Sequence, residues 1–422
     1  MTETMRPSIR PGFRRASLVA FVVLLPFVAY SVWDYLESSR LTRAIDAIGA
    51  KGEPLAPVRT SPMPNAGAEA ERYYRAGAAL AFEPYTLDET ARRILRADST
   101  AQWPPDLIPE LRQHVARFDE ATRLADRAAP LPFHGVGMTD GYWNGALASL
   151  ARELSLRAIL RAIDGDGDGA IASLYSAVRM ELPFESRLFG VLRFPRDFSF
   201  VVGSSRPSAA ALATLADPLA AADRDDGTRR DWLRLRALIV DQSPAVRPQV
   251  HWEDIAARPF AMHALSRQLD EFSALLAAAD APWPDRIDRT VEVGGYPTAP
   301  PQRDPRVLLR GFIEFEADRL AMIRCSRIAV AMERYRAEHG SYASRLDALI
   351  PTYLPAVPVD PYSGKFMLLS SSADSYAVYS VGRNRRDDGG ADLGTRWSTA
   401  PIFSSATYGA DVGVRIGIAL AR

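Results

Sequence analysis

Aspartate alternates with glycine in the stretch Asp164-Gly165-Asp166-Gly167-Asp168-Gly169. A calcium loop of the EF-hand kind places oxygen ligands at its first, third and fifth positions and a glycine at its sixth. Ile171 even falls on the apolar eighth position. Tyr175, however, stands at the twelfth, where a bidentate glutamate belongs, and loss of that ligand sharply weakens any such site. The same residues also make a turn between two helices, with Asp168 near a helix N-terminus. The turn is the reading adopted.

Little else in the chain has the spacing of a reactive site. The histidines are His114, His134, His251, His263 and His339, and no two are spaced as a metal pair. Glu110 and His114 share a helix face, which reads as a surface contact. The single cysteine, Cys325, excludes an intrachain disulfide and a cysteine-based zinc site. It lies beside Ala321 and Met332 at the edge of an apolar stripe, the place of a packed thiol and not of a nucleophile. There is no Gly-x-Ser-x-Gly elbow, P-loop, His-Glu-x-x-His or dinucleotide glycine pattern. No catalytic residue is assigned.

The elements that carry these residues are mostly helical. The chain has 422 residues, enough for two or three domains. Acidic and basic residues balance at 51 each, and the arginines are not clustered with aromatics, so no nucleic-acid partner is expected. Residues 16–33, ASLVAFVVLLPFVAYSVW, carry no charge and follow Arg6, Arg10, Arg14 and Arg15. As a helix they reach roughly 27 Å, about a bilayer core. The flanking arginines place residues 1–15 in the cytoplasm and the rest outside. We read residues 16–35 as a single-pass anchor in a bacterial inner membrane, in preference to a cleaved signal peptide. Residues 51–67 form a proline-rich linker.

A helical domain is expected over 68–280. Its clearest signal is a helical hairpin: Trp143, Leu147, Leu150, Leu154 and Ala158 on one stripe, then Ile171, Leu174, Tyr175, Val178 and Leu182 on another. Further stripes run through Leu111, Val115, Phe118 and Thr122, and through Met262, Leu265, Leu269, Phe272 and Leu276. Residues 281–305 read as a second linker, with one short strand at Thr290–Val293. Residues 306–422 read as an α+β domain. Its long helix runs to Glu338, with Ile313, Ala317, Leu320, Ile328, Ala331 and Tyr335 in line. Gly340 supplies a left-handed stop, and Ser344 with Asp347 suggests a capping box. Asp360-Pro361-Tyr362-Ser363-Gly364 is a turn. FMLLS and SYAVYSV form a hairpin, and GVRIGIAL adds a closing strand.

Taken in order, Arg334-Tyr335, His339-Gly340-Ser341-Tyr342, LDALIPTYLPAVPVDPYSGK, YAVYSVG and an Asp/Gly loop resemble the globular part of the major pseudopilin of type II secretion systems. The resemblance covers about residues 325–395. It implies a long helix over a small antiparallel sheet and a loop that commonly binds calcium. Carried over position by position, the ligands would be Asp387, Asp388 and Asp392. Arg383, Arg385 and Arg386 crowd this loop and oppose a cation, so solvated aspartates paired with those arginines are the competing picture. The 270 or so residues between anchor and module also depart from the family.

These features together predict a mainly α protein: a transmembrane helix, helical hairpins outside the membrane, and a pseudopilin-like head. The expected role is a non-enzymatic scaffold with protein partners in the envelope or secretion machinery. An extracytoplasmic hydrolase with carboxylates in the helical domain is the other reading. A carboxylate-lined cleft would favour the enzyme. A shallow groove lined by aromatics and arginines would favour binding.

Overall fold

A computed structural model describes residues 11–56, 65–82, 89–100, 103–133, 141–182, 189–224, 227–241, 252–294, 305–372, 374–390, 393 and 411–416. In chain order the helices begin with α1 (Pro11–Ala50), α2 (Asn65–Ala81), α3 (Glu89–Thr100), α4 (Ile108–Arg117) and α5 (Asp119–Ala128). Next come α6 (Gly141–Ile163), α7 (Gly167–Glu181), α8 (Phe189–Ser204), α9 (Ala209–Ala213) and α10 (Ala216–Ala222). The last four are α11 (Gly227–Asp241), α12 (Trp252–Ala279), α13 (Asp285–Gly294) and α14 (Pro305–His339). Strands β1 (Leu368–Ser371), β2 (Tyr376–Ser380) and β3 (Val412–Ile416) form one antiparallel sheet in the order β1-β2-β3. The protein is thus mainly helical with a small sheet, as expected.

The chain divides into two compact units. One unit joins residues 1–59 to residues 229–277. Here α1 lies against α12 and α11: Leu41 and Ile48 are buried with Met262, Leu269 and Val240, flanked by Ala44, Ile45, Ile239 and Leu265. Buried Arg236 reaches Glu53 at 2.7 Å. Apolar spacing from Met262 to Leu276 signals a helix with a buried face, but spacing cannot say which partner buries it. Among the described residues no helix is long and apolar enough to cross a membrane. The side chains of residues 16–21 and 23 lie outside that description.

The second unit comprises residues 60–228 and 278–422. Its helical part is built as predicted around the α6–α7 hairpin. Leu147, Leu150 and Leu154 are buried with Tyr74, Ala78, Ala121 and Ala125 of α2 and α5. Small residues let α2 and α5 approach closely: a Cβ on Gly77 would lie 2.9 Å from the Ala121 carbonyl. The Leu111–Thr122 stripe is not one helix, because α4 ends and α5 begins at Phe118. In the Asp/Gly stretch, Gly165 takes φ +83°. The Asp166 carboxylate accepts from Gly169 N–H at 2.9 Å as the cap of α7. Asp168 accepts from Ser208 N–H at 2.6 Å and from its hydroxyl at 2.9 Å. Turn and cap thus use the carboxylates that an EF-hand would need.

In the C-terminal part, α14 underlies the sheet. Ala317, Leu320, Ile328 and Ala331 are buried, as are Val378, Val414 and Ile416 on the strands. Gly340 has φ +77°, the expected left-handed stop. Two local expectations fail. Residues 290–293 belong to α13 and not to a strand: Asp285 and Asp288 favour a helix N-terminus, while Ile287 and Thr290 are buried at helical spacing. Ser344 does not cap the next turn. The cap position of the 3-10 turn Leu346–Leu349 is Arg345, and Asp347 takes the Arg345 guanidinium at 2.7 Å instead.

Candidate functional site

The loop after β2 carries two of the three aspartates singled out by resemblance. Asp387 accepts from the Tyr379 hydroxyl at 3.1 Å and from Gly389 N–H at 2.9 Å. Asp388 accepts from the Asn384 amide at 2.8 Å. Asp392 lies outside the described residues. The loop is closed by a residue that the sequence reading passed over. Buried Asp411, just before β3, accepts from Gly390 N–H at 2.7 Å and Asp388 N–H at 3.1 Å. Burial raises its pKa, the two N–H groups oppose this, and Asp388 and Asp387 add to it.

Two of the three arginines turn away from the loop's described aspartates. Arg383 turns inward and meets Asp318 and, at 3.2 Å, Glu314 on α14. Arg385 leaves for Asp288 on α13 at 2.8 Å. A calcium ion needs six or more oxygens. Among the described residues no group of three or more His, Cys, Asp or Glu side chains is placed to hold a metal.

What the loop does have is a buried polar root. Asp360, in the predicted turn, is 1% exposed. Its carboxylate accepts from Tyr362 N–H at 3.0 Å, the Ser380 hydroxyl at 2.6 Å, the Ser363 hydroxyl at 2.8 Å and Val381 N–H at 3.3 Å. The turn is thereby fixed to the end of β2. Tyr362 donates to Asp318 and lies 3.2 Å from the Glu314 carbonyl. Burial raises the Asp318 pKa, against the pull of Arg383 and Tyr362. A second buried acid, Glu333, holds Arg336 at 2.7 Å and accepts from the Tyr342 hydroxyl at 3.0 Å. Cys325 is fully buried with its thiol 3.7 Å from the Val412 carbonyl. Burial, with Asp360 adding to it, pushes the thiol pKa well up. It is the packed thiol expected.

Histidines and paired acids in the helical part are also accounted for. Glu110 binds Arg93 at 2.7 Å, and His114 turns instead to buried Glu153 at 2.8 Å. The expected Glu110–His114 contact is thus replaced by two others. Asp98 and Asp197 are 2% and 1% exposed and share Arg196, at 3.0 and 2.7 Å. His263 meets Glu37 at 3.0 Å, and His339 stacks on Tyr335 with ring centres 4.0 Å apart. His134 and His251 lie outside the described residues.

One open groove of about 230 Å³ lies between α10, α14 and the segment after the 3-10 turn. Leu219, Val330 and Leu354 line it, with Arg327, Arg334 and Tyr353. The Arg334 guanidinium stands 5.3 Å from the Tyr353 ring centre. An apolar floor with arginines and an aromatic ring suits a docked side chain.

The most open apolar surface belongs to the other unit. On α1, Val22, Leu24, Leu25, Phe27 and Val28 are each more than half exposed, as are Val32, Tyr35 and Leu36. At 100° per residue the first five point right round the helix. Ser31 satisfies its hydroxyl within the helix, on the Phe27 carbonyl at 2.9 Å. Trp33 meets Phe260 edge-on at 4.5 Å.

Comparison with protein-family models, curated proteins and solved structures finds no match.

Proposed function

We propose that the chain is a bacterial inner-membrane protein anchored by α1, with its bulk outside the cytoplasm. In this reading it serves as a non-enzymatic scaffold of the envelope or secretion apparatus. The observation that carries the reading is the bare apolar surface of α1. A helix apolar on every side needs an apolar medium on every side, and lipid supplies one. The head supports the second half of the proposal. A long helix under a small antiparallel sheet, followed by an ordered loop, is what likeness to a pseudopilin implies. The groove lined by Tyr353, Arg327 and Arg334 suits partner binding better than catalysis.

Protease added to intact spheroplasts tests the placement: residues after 56 should be digested and the N-terminal tail spared. Crosslinking in native membranes should then recover envelope or secretion components. A chain untouched by external protease would end the proposal. The competing extracytoplasmic hydrolase would draw on Asp98 and Asp197, the buried pair that shares Arg196. Turnover of a peptide or glycan library, lost in Asp197→Asn, would establish it. Calcium at the loop would have to enlist Asp392 beside Asp387 and Asp388. Equal melting temperatures with calcium and with chelator would remove it.

A further inference from the structure

We infer that the groove between α10 and α14 receives a protein segment that carries a carboxylate beside a leucine-sized apolar side chain. The inference rests on reading the chain as a scaffold, and it names the partner chemistry of that one groove. The walls explain the shape. On α14, Arg327, Val330, Ala331 and Arg334 stand at i, i+3, i+4 and i+7, a single helical stripe, and all four line the groove. Helix α10 faces them with Ala216 and Ala220, one turn apart, and these small side chains leave the space open. The floor is apolar: Leu219, Val330, Ala331 and Leu354 are buried beneath it. A volume of about 230 Å³ falls short of the roughly 300–1,000 Å³ of a small-molecule pocket. It suits a side chain better than a metabolite.

Charge then selects the partner. The two guanidiniums of the stripe differ in what they hold. Arg327 meets Asp223, which Arg324 also binds at 2.9 Å. Arg334 has the ring of Tyr353, 5.3 Å away, and no acceptor among the described residues. Its Nε is buried without a hydrogen-bond partner. The other acids nearby are placed elsewhere. Glu338, one turn further along α14, accepts from the Tyr353 hydroxyl at 2.5 Å. Asp217, on the α10 wall, is exposed and forms no ion pair among the described residues. A guanidinium presents its N–H donors as a fixed fork that matches a carboxylate. A carboxylate brought by a partner would complete Arg334, while an apolar neighbour covers the floor. A wholly apolar partner would seal Arg334 beneath it unpaired, and a wholly acidic one would leave the floor in water. Both features are therefore required.

The test probes arrayed hexapeptides with the full chain in detergent. The peptides come in matched sets that differ only in a central pair, present in either order: Glu-Leu, Gln-Leu or Glu-Gly. The wild type should bind the Glu-Leu set several-fold above both others. Arg334→Gln should bind Glu-Leu and Gln-Leu alike and still prefer leucine to glycine. Asp217→Asn, at an exposed position, should raise the Glu-Leu signal and leave Gln-Leu unchanged, because it removes a like charge from the opposite wall. Equal wild-type binding to all three sets overturns the inference, as does a glutamate preference that survives Arg334→Gln. If Arg334→Gln misfolds, the Asp217→Asn arm decides: a Glu-Leu signal that does not rise overturns the inference. The scaffold reading fails separately. Crosslinking that recovers envelope components from a chain without these preferences leaves the scaffold and removes this site. A chain untouched by external protease ends the scaffold reading whatever the array shows.

Discussion

Helices α1 and α14, 40 and 35 residues long, pose the same problem and meet it differently. Each contains a run of consecutive apolar residues wide enough to face every side of the helix, long on α1 and short on α14. On α14 the consecutive residues Leu320, Ala321, Met322 and Ile323 are all buried, so protein covers the helix in every direction. On α1, Val22, Leu24, Leu25, Phe27 and Val28 are all exposed. Charge distinguishes them. Helix α14 interleaves Glu314, Glu316, Asp318, Arg319 and Glu333 with its apolar residues, and all five are buried. Buried charges require protein partners, and they have them: Arg383 for Asp318, the Ala222 carbonyl for Arg319, Arg336 for Glu333. The run on α1 contains no charge and therefore no such demand. Where an all-round apolar helix carries interleaved charges, its cover must be protein; a run without charge makes no such demand.

The same substitution on each helix gives the largest expected contrast. Leu320 is fully buried. Leu320→Arg would force an unpaired charge inside, a penalty of several kcal/mol against the roughly 5–15 kcal/mol that holds a domain. No cooperative thermal transition of the head is expected. Leu24→Arg should leave that transition where it is and weaken membrane partition by about 2.5–3.5 kcal/mol, the insertion penalty of arginine at the centre of a span. Flotation with liposomes measures the second effect and circular dichroism the first. A lost transition in Leu24→Arg would mean that α1 is covered by protein, and the contrast would collapse.

The charges on α14 can then be tested for dependence on their partners. Arg383→Met leaves Asp318 buried beside Glu314 without its guanidinium, and breaking a buried pair from one side costs about 3–5 kcal/mol. Adding Asp318→Asn should recover part of that loss, since the stranded charge is gone. Urea unfolding of both single variants and the double gives the coupling. A double variant no better than Arg383→Met would show that Asp318 is not what the arginine serves. Asp360→Ala should follow at roughly 2–4 kcal/mol, because four donors lose their acceptor and buried donors left unmet cost about 1–3 kcal/mol each before relaxation.

Much of this arrangement is legible in the residues. Period-3.6 stripes mark the α6–α7 hairpin and α14, the Asp/Gly stretch marks the turn between α6 and α7, Gly340 marks the stop of α14, and alternation marks β2. Each is a local signal, settled within a turn or two of chain. The partners of charged side chains are not local. Arg383 sits four residues from Asp387, but its ion pair is with Asp318, 65 residues away. Asp411 closes a loop 21 residues before it. Nor could spacing show that α12 is buried against α1 and not against the hairpins. The pairing of Asp34 with Arg258 is written in complementary charges 224 residues apart, and every other acid–arginine combination looks the same in sequence.

The smallest expected effect is a slope with pH. Glu333 is fully buried. Burial raises its pKa above the ordinary glutamate value, against the opposing pull of Arg336 and the Tyr342 and Tyr376 hydroxyls. A carboxyl that holds its proton more tightly in the folded state contributes stability that is fully present below its unfolded pKa. That contribution is lost as pH rises through the folded value. Glu333→Gln removes the titration while keeping an oxygen acceptor for Tyr342. The wild type should therefore lose ground to the glutamine variant as pH is raised from about 4 to 7, the range above the unfolded carboxyl pKa. The slope is the test and not the offset, because glutamine also gives up the ion pair with Arg336. Urea midpoints at matched ionic strength read it directly. A gap that stays flat would mean that Arg336 fully offsets burial at this site, and that α14 holds its charges at no penalty.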